Sequence, residues 1–271
     1  MPMKLTLKIL PTDLLDQYKI NFDKTVKEVF EKLKDSELSL PDDKAGIKTF
    51  SFYTSVSAVF SSKIEGENID LDSFIKYKRF GTKYLPDYTR KIDDLYEAYL
   101  FAQLTKLSAK TLKQAHSQLT KHILQKSQRG KIRTGNMFVL TKDGKIEYVA
   151  VAPDKVKSEM KKFYADIEIL LNAEMSFEEV LFFASMLHLV FVKIHPFEDG
   201  NGRTARLLEK WFISQKLGEK AWFIQSERNY YEQHQIYYNN IRRLGLDYEE
   251  LKYSEALPFL QMLPKCLNQD L

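Results

Sequence analysis

The run from Phe177 to Ile194, FEEVLFFASMLHLVFVKI, constrains this sequence more than any other stretch. It is apolar almost all the way round, so a helix formed here must be enclosed by other parts of the protein. Its most apolar portion, Val180 to Ile194, carries a histidine and a lysine and is too short to span a bilayer, which leaves a central core helix. Ser176, followed three residues later by Glu179, has the pattern of a capping box that opens the helix. Pro196 sets the other end. The residue before a proline is pushed towards extended backbone, so the helix should stop at Ile194 and His195 should be the first loop residue.

Helical spacing recurs along the chain. It predicts helices over Val26–Leu33, Phe50–Ile64, Asp70–Tyr77, Tyr88–Leu104, Ala109–Leu124, Lys155–Leu171, Gly202–Gln215, Tyr230–Arg243 and Tyr248–Leu263. Asn136 to Pro153 breaks the pattern, with short apolar runs on either side of Asp143-Gly144, a hairpin signal. Lys4 to Leu10 reads as a short strand or an extended arm, Leu38 to Ile47 as a turn-rich link, and Arg79 to Asp87 as a loop. The expected fold class is therefore all-α with one β-hairpin. Ten glycines in 271 residues argue against a turn-rich sandwich or barrel.

Composition narrows the function classes. With 44% hydrophobic and 29% charged residues the chain matches an ordinary globular domain. A net charge of +4 over this length does not point to nucleic acid, and the basic stretch Lys126–Arg133 reads as a solvated surface. A single cysteine, Cys266, rules out a disulfide framework and suggests a reducing, cytoplasmic setting. MPMKLTLKIL lacks the pattern of a signal peptide, and neither a membrane span nor a membrane partner is expected.

The chemistry concentrates in HPFEDGNGRTAR, His195 to Arg206. The loop runs into a new helix, whose first N–H groups lack partners and point at whatever occupies the loop. Gly200, Asn201 and Gly202 allow the backbone to form a concave nest for an anion. Arg203 and Arg206 are three apart, so they share a helix face and both can hold that anion. Asp199 beside an anion would be repulsive without an intervening cation, which suggests Mg²⁺ between carboxylate and phosphates. His195 is placed to take a proton from an incoming hydroxyl. Each part alone serves structure just as readily; their combination within one short stretch points to phosphoryl-type or nucleotidyl-type transfer. No lysine follows the glycines as in a Walker loop, and no second histidine makes a zinc motif.

This stretch resembles the signature of the Fic (filamentation induced by cAMP) family, His-x-Phe-x-(Asp/Glu)-Gly-Asn-Gly-Arg-x-x-Arg, at every fixed position: His195, Phe197, Asp199, Gly200, Asn201, Gly202, Arg203 and Arg206. The resemblance implies an all-α Fic-fold core over residues 87–243 with the hairpin at 136–151 as its flap, preceded by a helical region at 1–86 and followed by a helical extension at 244–271. It implies a protein adenylyltransferase that uses Mg²⁺ and ATP to move AMP onto a Ser, Thr or Tyr hydroxyl of a target protein docked on the flap. In that reading His195 is the base, Asp199 holds Mg²⁺, residues 200–203 and Arg206 bind phosphate, and Phe197 fixes the loop. Tyr230, Tyr231, Tyr238 and Asn239, in the helix after the motif, become candidates for the adenine pocket. The reading leaves room for a homodimer.

A second stretch, SSKIEGEN, resembles the family's inhibitory signature as Ser61, Glu65 and Gly66. The resemblance implies a class II arrangement in which Glu65 pairs in cis with Arg206. Two further readings stand beside adenylyl transfer. One is another activity of the same fold, removal of AMP or transfer of a different phospho-group. The other is a nucleotide-binding or DNA-associated regulatory module without catalysis.

Overall fold

Ser176 does cap the central helix. Its hydroxyl accepts from the Glu179 N–H at 3.3 Å, and the Glu179 carboxylate accepts from the Ser176 N–H at 2.7 Å. The helix they open, α8, spans Phe177–Ile194 and is buried along almost its whole length. The computed structural model describes residues 5–36, 49–82, 86–140, 144 and 146–267. The expected link at Leu38–Ile47 and the Asp143 half of the hairpin turn lie outside them.

Helices α1 (Leu15–Ile20), α2 (Thr25–Ser36), α3 (Thr49–Ile64), α4 (Leu71–Phe80), α5 (Pro86–Leu104) and α6 (Ala109–Leu119) precede an antiparallel hairpin, β1 (Phe138–Leu140) and β2 (Ile146–Val149). Then follow α7 (Pro153–Asn172), α8, α9 (Asn201–Leu217), α10 (Ser226–Glu232), α11 (His234–Arg242), α12 (Leu257–Leu260) and α13 (Met262–Lys265). The fold is all-α with one hairpin. Helix α8 packs most extensively on α9, and α3 lies across α5 and α10 with contacts to α9. One hydrophobic cluster runs from Leu10 to Leu267. No helix among the described residues is long and apolar enough to cross a membrane.

Several boundaries differ from the sequence expectation. Leu15–Ile20 forms a helix that the spacing did not signal. The Ala109 helix stops at Leu119, where the Thr120 hydroxyl and N–H both turn back onto the His116 carbonyl. Helix α4 runs on through Arg79 to Phe80, ending at Gly81 in the left-handed region (φ 63°) that a Cβ disfavours. Tyr230–Arg243 is two helices joined at Gln233. The expected helix over Tyr248–Leu263 is instead two 3₁₀ turns, Tyr248–Glu250 and Tyr253–Glu255, leading into α12 and α13. Pro258 and Pro264 sit in those two short helices, where each removes an amide donor and suits only a first turn. The arm at Leu5–Leu10 forms no strand; the N–H groups of Lys8, Ile9 and Leu10 all donate to the buried Asp166 carboxylate of α7.

In the hairpin, Phe138 pairs with Val149 and Val139 with Tyr148, and a bulge follows Val139. The outer edge of β2 is not open. Val149 N–H donates to the Leu246 carbonyl at 2.8 Å and Val149 bridges in parallel to Asp247.

Candidate active site

Helix α8 delivers His195 as its C-cap, with the His195 N–H on the Phe191 carbonyl at 3.0 Å. The backbone there is left-handed (φ 51°, ψ 60°), not extended as the following proline predicts. His195 is the one non-glycine residue at positive φ among the described residues. Strain of this kind persists only where neighbours over-determine it, and Arg133 does so here. Its Nε donates to the His195 carbonyl at 2.7 Å, while its terminal nitrogens reach the carbonyls of Val151 (2.6 Å), Gly135 (2.8 Å) and Ile194 (3.4 Å). The Arg133 N–H also donates to the Pro196 carbonyl at 2.9 Å. Lys126 and Lys131 are exposed as expected of a solvated stretch, but Arg133 is buried. Nothing in the sequence separates it from its basic neighbours.

The His195 ring lies 3.2 Å through Nδ1 from the Val192 carbonyl. A carbonyl can only accept, so Nδ1 carries the proton and Nε2 keeps a free lone pair. Burial pulls the His195 pKa below its ordinary value, outweighing the opposing pull of the Val192 carbonyl, Glu65 and Asp199, and Arg133 adds to it. The ring is thus held neutral, as a base requires.

The loop beyond is built inward. Phe197 is fully buried and stacks on His116 with ring centroids 3.7 Å apart. His116 donates from Nε2 to the Asp199 carbonyl at 2.8 Å and accepts at Nδ1 from the Gly130 N–H at 2.9 Å. Burial lowers its pKa to about 4, against a small opposing pull from the Asp199 carbonyl. The Asn201 side chain is spent on the loop itself: Oδ1 accepts from the Phe197 N–H at 2.9 Å and Nδ2 donates to the Phe197 carbonyl at 2.8 Å. Thr204 N–H is the first to bond within α9, to the Gly200 carbonyl. The N–H groups of residues 201–203 therefore lack helical partners. Gly200 is required twice over, by its φ of 78° and because a Cβ would lie 2.7 Å from the Thr120 methyl.

Arg206 is 1% exposed and reaches from α9 to α3. Its Nε donates to Ser61 Oγ at 2.8 Å, and one terminal nitrogen donates to both the Ser61 carbonyl (3.0 Å) and Glu65 Oε1 (2.6 Å). Burial pushes the Glu65 carboxyl up, but the Arg206 and Arg203 charges and the Arg206 hydrogen bond outweigh that and hold it below its ordinary value. Glu65 lies directly over the start of α9, since a Cβ on Gly202 would sit 2.5 Å from Glu65 Oε1. Gly66, at φ 92°, turns the chain just after it.

A pocket of about 160 Å³ gathers Glu65, His195, Gly202, Arg206 and Tyr238, with Tyr148, Tyr237 and the hairpin residues Val139 and Glu147. Tyr230, Tyr231 and Asn239 do not line it. Tyr230 is fully buried with its hydroxyl on Glu209, Tyr231 packs on Phe60, and Asn239 is exposed and accepts from Gln235 and Arg242. Tyr237, which the sequence reading passed over, takes the inner position and bonds His188 at 2.9 Å and Arg206 at 3.3 Å. Arg203 is buried outside this lining. Asp199 is exposed and is not among the lining residues, and Gly200 N–H donates to its Oδ1 at 2.5 Å. Among the described residues no group of three or more His, Cys, Asp or Glu could hold a metal alone. A lone, half-engaged carboxylate still suits Mg²⁺, which typically binds one or two carboxylates and completes its shell with substrate phosphates and water.

Comparison with known proteins bears on both fold and loop. A model of the Fic/DOC family matches residues 106–213. The protein adenylyltransferase Fic of Nematostella vectensis is 29% identical over 142 residues, 52% of this chain but 28% of that protein. The chain thus spans less than a third of the length of this curated relative. A Fic family protein from Desulfovibrio desulfuricans G20 superposes with a TM-score of 0.73 at 16% identity, over 97% of this chain and 74% of the other. A Fic domain containing signaling protein from Bacteroides thetaiotaomicron gives 0.70 at 18% identity, over 90% and 92%. The fold is thus shared with Fic proteins over nearly all of the chain, and the segment 106–213, which holds the motif loop, matches the Fic/DOC family.

Proposed function

We propose that this protein is an adenylyltransferase that moves AMP from ATP to a Ser, Thr or Tyr hydroxyl of a target protein, and that Glu65 restrains it. The observation that supports this best is the pocket in which a neutral His195, the glycine start of α9, Arg206 and Glu65 meet. The names of its relatives point the same way. The same reading takes 87–243 as the catalytic core, 1–86 as the region bearing the restraint, and 244–271 as an extension.

In the reaction the hydroxyl oxygen attacks the α-phosphorus, and the bond from that phosphorus to the bridging oxygen of the β-phosphate breaks. Pyrophosphate leaves, and the hydroxyl proton passes to His195 Nε2, the nitrogen left free by the Nδ1 contact with Val192. The unpaired N–H groups at the start of α9 and the guanidinium groups of Arg203 and Arg206 hold the phosphate chain. Asp199 would hold Mg²⁺, which when bound neutralises charge that builds up on the phosphates. Asp199→Ala should raise the Mg²⁺ concentration needed for nucleotide binding; an unchanged requirement in a titration would remove Asp199 from that role.

Glu65 sets the restraint because Arg206 has one fork and two anions compete for it. A carboxylate already placed within the chain keeps the phosphates from their in-line position. Glu65→Gly should therefore raise self-modification by at least tenfold, with a modest fall in melting temperature that saturating ATP partly reverses. ATP labelled on the α-phosphate should leave label on protein, and ATP labelled on the γ-phosphate should not. Retained γ-label would mean phosphate transfer, and a folded Glu65→Gly protein no faster than the parent would falsify the inhibitory role. A second reading rests on Glu65 itself: an ionised carboxylate in the same pocket as His195 can orient water and remove AMP. Loss of AMP from a modified substrate with the parent protein, but not with Glu65→Gly, would favour it.

A further inference from the structure

The turn after α3 carries a second acid, Glu67, which the mechanism above does not use. Gly66 at φ 92° reverses the chain, and Glu67 N–H donates to the Ser62 carbonyl at 3.2 Å, folding the turn back onto α3. One Glu67 oxygen then lies 2.8 Å from Lys91 Nζ of α5 and 3.6 Å from a terminal nitrogen of Arg203. The Arg203 side chain is only 5% exposed, and its Nε is buried without a hydrogen-bond partner. Among the described residues, Glu67 is the acid within ion-pair distance of it. The two arginines of one α9 face are thus matched by two carboxylates of one turn, Glu65 on Arg206 and Glu67 on Arg203.

We propose that Glu67 is a second inhibitory carboxylate, occupying Arg203 where an outer phosphate of the nucleotide would bind, and that Lys91 anchors it there. The inference rests on the reading of Glu65 and Arg206 given above. A partly exposed Lys–Glu pair by itself contributes little. Arg203 is different, because a guanidinium removed from water needs an anion, and whichever anion supplies it excludes the other. Glu65 also feels the Arg203 charge, but removing it leaves Glu67 within ion-pair distance of Arg203. Full grip on the phosphate chain requires that both acids leave.

The test is calorimetric titration of Mg-ATP and, separately, of AMP into the parent, Glu65→Gly, Glu67→Gln and the double variant, with melting temperatures as a check on folding. AMP lacks the outer phosphates, so it reports on everything except the proposed competition. Glu67→Gln should tighten ATP by about threefold or more, in keeping with the worth of a partly exposed ion pair, and leave AMP unchanged. The double variant should bind ATP tighter than Glu65→Gly by a similar factor. Equal ATP affinity in parent and Glu67→Gln, or an equal gain for ATP and AMP, overturns the proposal; the second result would mean only that the turn has loosened. If Glu65→Gly gains ATP affinity and Glu67→Gln does not, Glu67 fails and the Glu65 reading stands. If neither gains, the Glu65 reading fails and takes this one with it.

Discussion

A histidine base is useful only while it is unprotonated, and burial extends that range downwards for His195. With the folded pKa below the ordinary value of about 6.5, the neutral form persists as pH falls through 6.5 and is lost only lower down. The acid limb of kcat/KM, measured on the Glu65→Gly form, should therefore lie below that value. A limb at or above it would mean that His195 is not the titrating base. His195→Ala should cost about 10²–10⁴-fold in transfer with ATP binding kept. Arg133→Lys keeps the charge but loses the fork that holds four carbonyls, so kcat should fall by about tenfold or more while KM for ATP changes little. A proportional change in both would mark Arg133 as purely structural. The residues from His195 to Arg206 were legible in the sequence because the loop presents them consecutively. Arg133 and His116 were not, since they reach the loop from 62 and 83 residues away. Only folding reveals such contacts.

At the scale of elements, α3 is fastened to α9 at more than one point. Lys210, a helical turn beyond Arg206, donates to Ser57 Oγ at 2.7 Å and to Glu227 at 2.6 Å, and Tyr99 donates to the same carboxylate at 2.7 Å. Ser57 and Ser61 of α3 and Glu65 just beyond its end follow one another at four-residue spacing, so one line of side chains carries the links to Arg206 and Lys210. Ser57→Ala removes one link, worth about 1 kcal/mol. It should raise basal self-modification by about fivefold, less than Glu65→Gly does; no change would confine the fastening to Arg206. The hairpin calls for a similar distinction. Val149 N–H is already bonded to Leu246, so proline there disturbs the C-terminal segment as well. Proline at Phe138, on the strand whose far edge carries no such segment among the described residues, is the cleaner probe. It should lower modification of a target protein while ATP affinity holds, as expected if a target adds a strand there. Helix α8 could be placed to the residue because cap, apolar run and proline agree. The Tyr248–Leu263 region could not, because its apolar spacing is helical while its prolines are not.

For the whole molecule, α3 is not an appendage. Its apolar residues Ala58, Val59 and Ile64 belong to the same cluster as α8 and α9, and the hydrogen bonds of Ser61 and of Glu65 just beyond it end on Arg206. The N-terminal arm is likewise tied down, with three amides on Asp166. The placing of Glu65 over Gly202 carries a thermodynamic consequence. If seated α3 and a productively bound triphosphate exclude one another, the two equilibria are linked, and linkage is reciprocal. The factor by which a seated α3 weakens ATP is the factor by which ATP loosens α3. Amide exchange along Ser57–Glu65 should then quicken as ATP is added, and anything that grips the outer face of α3 would act as a nucleotide-affinity switch without touching the pocket.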